Sequence, residues 1–215
     1  MKSLEQRENS RLHIGLTTVI DLVVVSLLWL LFSLPLVTLG AASTAAYYTV
    51  VKYIRRQRGR LWPCFWGAFR GNFRQSTLAW LLCLAYLLLG LLNMRLFAGL
   101  GSEGAPLLSA VGQLLLLPLA ITVPWLFPYI SRFENSALGS VKFAIWLSVR
   151  HWRATLLLLL ELAVFALIAY LVPLLLPLLA GPMFLLRSLR VEPVLRAISQ
   201  ERADDANADQ WYNEE

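Results

Sequence analysis

Leu22-Val-Val-Val-Ser-Leu-Leu-Trp-Leu-Leu-Phe-Ser-Leu-Pro-Leu-Val-Thr-Leu39 contains no charged residue, and it opens an uncharged stretch that runs to residue 51. Three more such stretches follow, at 75–94, 104–131 and 162–186, and the four are 30, 20, 28 and 25 residues long. A helix needs roughly 20 predominantly apolar residues to cross a bilayer. A water-soluble core of this size does not hide that much unbroken apolar sequence. The sequence therefore predicts a polytopic membrane protein.

Composition points the same way. The chain is 58% hydrophobic and 15% charged, with mean hydropathy +0.63, against about 25% charged in an average soluble domain. Many of the eight tryptophans and seven tyrosines flank charge clusters at segment ends, where an interfacial aromatic belt places them. The net charge of +6 comes from basic residues between apolar segments, which reads as topology and not as a nucleic-acid face. Three parts are expected: a cytoplasmic flank (1–14), a single membrane domain (15–199) and an acidic, disordered tail (200–215) carrying Asp204, Asp205 and Asp209.

Segment count follows from the Lys and Arg positions. The run Leu22–Leu39 exceeds the 7–15 residue core of a secretory signal, so the first helix is expected to be retained. One reading has four helices, at 16–39, 75–97, 106–130 and 154–178. Another turns the chain at Pro35–Gly40, sends 41–53 back across, and returns a short helix after Pro177 or Pro182. The second reading puts 18 of 19 basic residues in the cytoplasm and the first puts 11 there. The positive-inside rule thus favours six segments, four long and two short or re-entrant, with both termini cytoplasmic. The expected fold is an all-α transmembrane bundle in the cell membrane. Residues 41–53 make only about 20 Å of helix, short of a roughly 30 Å hydrocarbon core. Small residues from Gly40 to Ala46 would let this piece pack against protein, in a tight turn built on Pro35, Thr38 and Gly40. Phe65, Trp66, Phe69 and Phe73 around Arg70 and Arg74, and Phe143, Trp146 and Val149 before Arg150 and Arg153, read as amphipathic helices in the inner-leaflet interface. The Lys52–Arg60 loop should attract anionic lipid.

Two carboxylates lie within apolar sequence, Asp21 and Glu161. In the six-segment reading both sit about 9–11 Å deep from the cytoplasmic side. An ionisable group at that depth suggests function: cation binding, proton relay or grip on a polar substrate. The alternatives are a structural pairing with a cytoplasmic-side Lys or Arg such as Lys52 or Arg153, or a protonated acid facing lipid. The chain lacks CxxC, HExxH and histidine clusters, and its only histidines, His13 and His151, lie in polar flanks. Neither a metal set nor an activated nucleophile is visible, so no enzymatic activity and no cofactor is expected. A Cys64–Cys83 disulfide is not expected either, since the two lie in different settings.

Trp29–Ala42 with Tyr47–Lys52, then Phe65-Trp-Gly-Ala-Phe-Arg-Gly-Asn-Phe-Arg-Gln-Ser76, then Pro128–Glu134 continuing to the helix start at His151–Leu156, form an ordered set. In this order they resemble the YesL-like family of small bacterial membrane proteins, over roughly residues 15–190. That family has no established activity and no assigned site residues. The resemblance implies an accessory or assembly component associated with carbohydrate uptake, with membrane subunits of a sugar importer as partners. The alternative is a small transporter or channel working through Asp21 and Glu161.

Overall fold

The computed structural model describes residues 2–98, 110, 112–114 and 116–201. These residues are helical throughout their regular structure: α1 (Lys2–Ser33), α2 (Leu39–Thr49), α3 (Leu61–Gly71), α4 (Phe73–Ala98), α5 (Leu117–Ile130), α6 (Ala137–Arg150), α7 (Trp152–Leu171) and α8 (Leu176–Glu201). Four helical stretches are long and apolar enough to cross a membrane: Gly15–Ser33, Phe73–Leu96, Gly112–Ile130 and Trp152–Leu171. Most of their leucines face outward, as in Leu88, Leu89, Leu157 and Leu160, because lipid is as good a solvent for them as a core. The chain is an all-α polytopic membrane protein.

Local chemistry sets the breaks. Pro35 ends α1, and Thr38 closes the turn by donating from Oγ1 to the carbonyls of Phe32 (2.6 Å) and Pro35 (2.8 Å). A proline has no N–H to continue the helix. Helix α2 continues as a π-helical segment, Val50–Arg55, before the basic loop. Between α3 and α4, Asn72 Nδ2 donates to the Ala68 carbonyl at 3.1 Å, so the two helices meet with only a bend. Ser136 caps α6 by accepting from the Gly139 amide at 3.0 Å. Inside α5, Pro124 and Pro128 each free a carbonyl in the preceding turn, while Thr122 donates to the Pro118 carbonyl and Ser131 to that of Pro128.

The last helix differs from the expectation of a short return. It begins at Leu176 and runs 26 residues, carrying Pro182 and Pro193 in its interior. Its length comes from packing: α1 and α8 share the most extensive of the helix contacts. They touch backbone to backbone at Gly181, where a Cβ would collide with the Leu22 carbonyl. There Ser26 Oγ accepts from the Gly181 amide (2.7 Å) and lies 3.2 Å from the Leu178 carbonyl.

Contacts at the helix ends fix relative directions. Gly40 is so close to α4 that a Cβ would lie 2.6 Å from both the Ser76 carbonyl and Trp80 Cβ. Trp80 Nε1 donates to the Leu36 carbonyl at 2.8 Å, and Phe32 packs among Phe65, Trp66 and Phe69 of α3. The turn after α1 is therefore level with the first two turns of α4. The C-terminal end of α8 is at that same level, since Arg132 bonds Ser199 (2.8 Å) and the neighbouring Phe133 carbonyl accepts from Gln75 of α4 (3.4 Å). Helices α1 and α8 consequently run side by side in the same direction. Helix α2 starts beside the entry of α4, not at its far end.

The core collects where these elements converge. Trp125, Tyr47, Tyr129, Phe65 and Phe184 are its largest fully buried side chains. The small residues Ala41, Ala42, Ala45 and Ala46 are fully buried in α2, which is what lets this helix sit among its neighbours. Helices α3 and α6 are amphipathic: Phe65, Phe69, Ala144 and Leu147 face inward, while Trp62 and Trp146 are half exposed. Arg70 stacks on Trp66 and Arg150 on Trp146. Cys64 and Cys83 are buried free thiols, and the 200–215 tail lies, from residue 202 on, outside the described residues.

Candidate functional site

Glu161 sits ten residues into α7, in the run Leu156-Leu-Leu-Leu-Leu-Glu-Leu, with its side chain 2% exposed. Helix α8 returns antiparallel after the 3-10 turn Pro173–Leu175 and brings two guanidiniums to it. Arg190 Nη1 donates to Oε2 at 2.6 Å, and Arg187 Nε lies 3.5 Å from Oε1. Arg187 and Arg190 are three residues apart and so share a helix face. Arg187 is almost fully buried, its guanidinium over the Phe184 ring, whereas the Arg190 side chain is 35% exposed.

One turn further along α8, Glu192 anchors a second cluster. Its Oε1 is 3.0 Å from Arg132 Nη1, 3.6 Å from Arg56 Nη2 and 3.5 Å from Arg196 Nε. The Tyr47 hydroxyl donates to Oε2 at 3.4 Å. Arg55 Nη1 reaches the Ser188 carbonyl at 2.8 Å. Five chain segments, α2, the π-helical turn, the end of α5, α7 and α8, are thus joined by charge. Burial first, then repulsion from Arg196, lowers the Arg56 guanidinium to about 10, still charged near neutral pH. A buried pair gains from mutual attraction only when its geometry offsets desolvation, and removing one partner costs about 3–5 kcal/mol.

Asp21 is in a different place. It lies beside the Tyr53 hydroxyl of the π-helical segment, while Glu161 is held by α8. The structure therefore partners the two sequence-predicted carboxylates separately, with a tyrosine in one case and two arginines in the other. Lys52, offered as a partner for the carboxylates, bonds the Tyr48 hydroxyl at 3.1 Å. Pro35 is exposed, Thr38 half-buried and Gly40 buried in the turn described above.

Sequence reasoning missed Glu192, Arg132 and Arg187. They lie among charges that read as a cytoplasmic flank. The signal was a periodicity: Phe184, Ser188, Val191, Leu195 and Ile198 recur at helical spacing and are buried, which places Arg187 and Glu192 beside an inward stripe. Among the described residues no group of three His, Cys, Asp or Glu could hold a metal ion. The chain is a membrane protein with a buried Arg–Glu network.

Comparison with known proteins adds one partial likeness. No curated protein and no solved structure matches the chain. Residues 22–94, from the middle of α1 through most of α4, match the model of a family described as "Protein of unknown function, DUF624". The match contains the first two of the three sequence blocks that resemble the YesL-like family and ends before α5, so over this part the chain is similar to that family of membrane proteins.

Proposed function

We propose that this protein is a small transporter or channel whose working group is Glu161, held by Arg187 and Arg190 between α7 and α8. One observation carries this reading: a carboxylate in the middle of an apolar helix, gripped by two guanidiniums from its hairpin partner. Ions within a membrane segment are costly and mark pathways or binding sites. Asp21, paired with Tyr53, belongs to the support of α1 and not to this site. The test is solute flux into liposomes containing the purified chain, comparing parent with Glu161→Gln at equal folded amounts. Saturable flux that the variant loses supports the reading; absence of flux for sugars, protons, cations and anions alike refutes it.

A second reading is an accessory component of carbohydrate uptake, acting on membrane subunits of a sugar importer. Its support is the resemblance to the YesL-like family together with the family match over residues 22–94. Deleting the chain in its host and measuring oligosaccharide uptake and importer abundance separates the two. Loss of both, with no flux from the pure protein, favours this second reading.

For the membrane topology we infer five crossings, by α1, α4, α5, α7 and α8, with α2 and α3 as a re-entrant or interfacial hairpin facing anionic inner-leaflet lipid. The C-terminus is then cytoplasmic. The shared direction of α1 and α8 supports an N-terminus on the opposite face, in place of two cytoplasmic termini. This arrangement leaves Lys2, Arg7, Arg11 and Arg95 outside, Arg187 and Arg190 at the site within the membrane, and the other thirteen of 19 basic residues inside, still in keeping with the positive-inside rule.

A further inference from the structure

We propose that the solute recognised between α7 and α8 is an anion carrying a carboxylate or phosphoryl group, and that Glu161 occupies its place until it binds. The proposal rests on the transport reading and names the substrate class for it.

The first argument is charge. Arg187 and Arg190 both meet Glu161, so two positive groups share one negative group between apolar helices. A net positive charge there attracts anions and repels cations. A cation site would need the reverse ratio.

The second argument is geometry. Arg190 holds Oε2 at 2.6 Å, but Arg187 Nε and Glu161 Oε1 face each other at 3.5 Å, and neither makes a hydrogen bond. Buried polar atoms are normally satisfied. Here a deeply buried guanidinium edge and a carboxylate oxygen are both left wanting, so the pairing is incomplete on the buried side. A guanidinium has a planar fork that binds a carboxylate or phosphoryl group through two parallel bonds. An incoming oxyanion could make both bonds to Arg187 that Glu161 does not.

The third argument is access. Arg190 is 35% exposed while Arg187 is 4% and Glu161 2%. One guanidinium near the surface and one buried below it place two positive groups at different depths beside Glu161. Arg55 Nη1 donates to the carbonyl of Ser188, the residue next to Arg187 on α8, and adds a third positive group near the site.

The test uses the full chain in mild detergent, with inorganic phosphate and acetate as probes against chloride at matched ionic strength. Thermal unfolding and equilibrium dialysis supply the readouts. The parent should bind at least one probe saturably. Glu161→Gln removes the internal competitor and should bind about tenfold or more tightly, with its melting temperature rescued by the probe more than the parent's is raised. Arg190→Gln, at the half-exposed position, should fold and bind about tenfold or more weakly. A parallel arm adds phosphatidylglycerol against phosphatidylcholine in native mass spectrometry. Retention of the anionic lipid with no effect of soluble probes identifies a lipid headgroup as the source of the oxyanion and upholds the site. No anion preference in any arm, or binding unaffected by Arg190→Gln, overturns the proposal. The transport reading fails separately: anion binding without liposome flux sinks it and leaves the site, whereas saturable flux of a cation or neutral sugar keeps transport and sinks the anion site.

Discussion

Adding one methyl group at Gly181 should separate two helices that the bundle needs in contact. A Cβ at this position would run into the carbonyl oxygen and carbon of Leu22 and lie 2.9 Å from Ser26 Oγ. Two of those three atoms are backbone, so no rotamer change relieves the clash. Optimal separations for non-bonded heavy atoms are about 3.5–4.0 Å, and α1 must therefore retreat by on the order of an ångström. The retreat strains the bond from the Gly181 amide to Ser26 Oγ, a loss of about 1 kcal/mol. Overpacking contributes about 1–3 kcal/mol. Against this, alanine gains up to about 1 kcal/mol in helix propensity over glycine. The net expectation for Gly181→Ala is a destabilisation of about 1–3 kcal/mol, a five- to 150-fold shift toward unfolding. The assay is thermal unfolding in mild detergent followed by tryptophan fluorescence, since Trp29 packs on Phe184 beside this crossing. Gly67→Ala in α3 is the control: nothing lies within 4 Å of its Cβ position, so it should be neutral or stabilising. If Gly181→Ala melts with or above the parent, α1 and α8 do not meet backbone to backbone and the reasoning is refuted.

Gly40→Ala should likewise lower stability by about 1–3 kcal/mol, because its Cβ would lie 2.6 Å from the Ser76 carbonyl and Trp80 Cβ; normal accumulation and melting of the variant would contradict a packed turn. Glu161→Gln without added anion should cost about 3 kcal/mol, as two guanidiniums lose their shared carboxylate; a change below 0.5 kcal/mol in the same melting assay would show that the pairing is energetically idle. Reporter fusions at the two termini should give opposite locations; fusions that both report the cytoplasm would rule out five crossings. Burial, and then the charge of Arg150, lower the His151 pKa below its ordinary value, so the folded state binds its proton less readily than the unfolded chain. Stability from this group is full above the unfolded value of about 6.5 and falls as pH drops toward the lowered folded value; His151→Gln should flatten that part of the stability profile, and an unchanged slope would remove His151 as its source.

Membrane insertion was legible in the sequence because it depends on local quantities. Runs such as Leu22–Leu39 and the uncharged stretch 162–186 exceed what water tolerates whatever their neighbours are, and Pro35 stops a helix by covalent geometry alone. The small residues from Gly40 to Ala46 announced close packing for the same reason, since nothing else lets backbones approach. Glu161 stood out as an ionisable group in apolar sequence. Its partners did not, because pairing across the α7–α8 hairpin depends on where Pro173–Leu175 turns the chain and on which face of α8 then looks inward. Sequence counted Arg187, Arg190 and Glu192 with the cytoplasmic charges; only tertiary packing turned them toward Glu161, Arg132 and Tyr47. The direction of α1 was equally hidden. A count of basic residues is nearly satisfied by either placement of Lys2, Arg7 and Arg11. The direction of α1 relative to α8 and α4 falls to the contact of Gly181 with Leu22 at one level and of Gly40 with Ser76 at another, and those are distances between segments far apart in the chain.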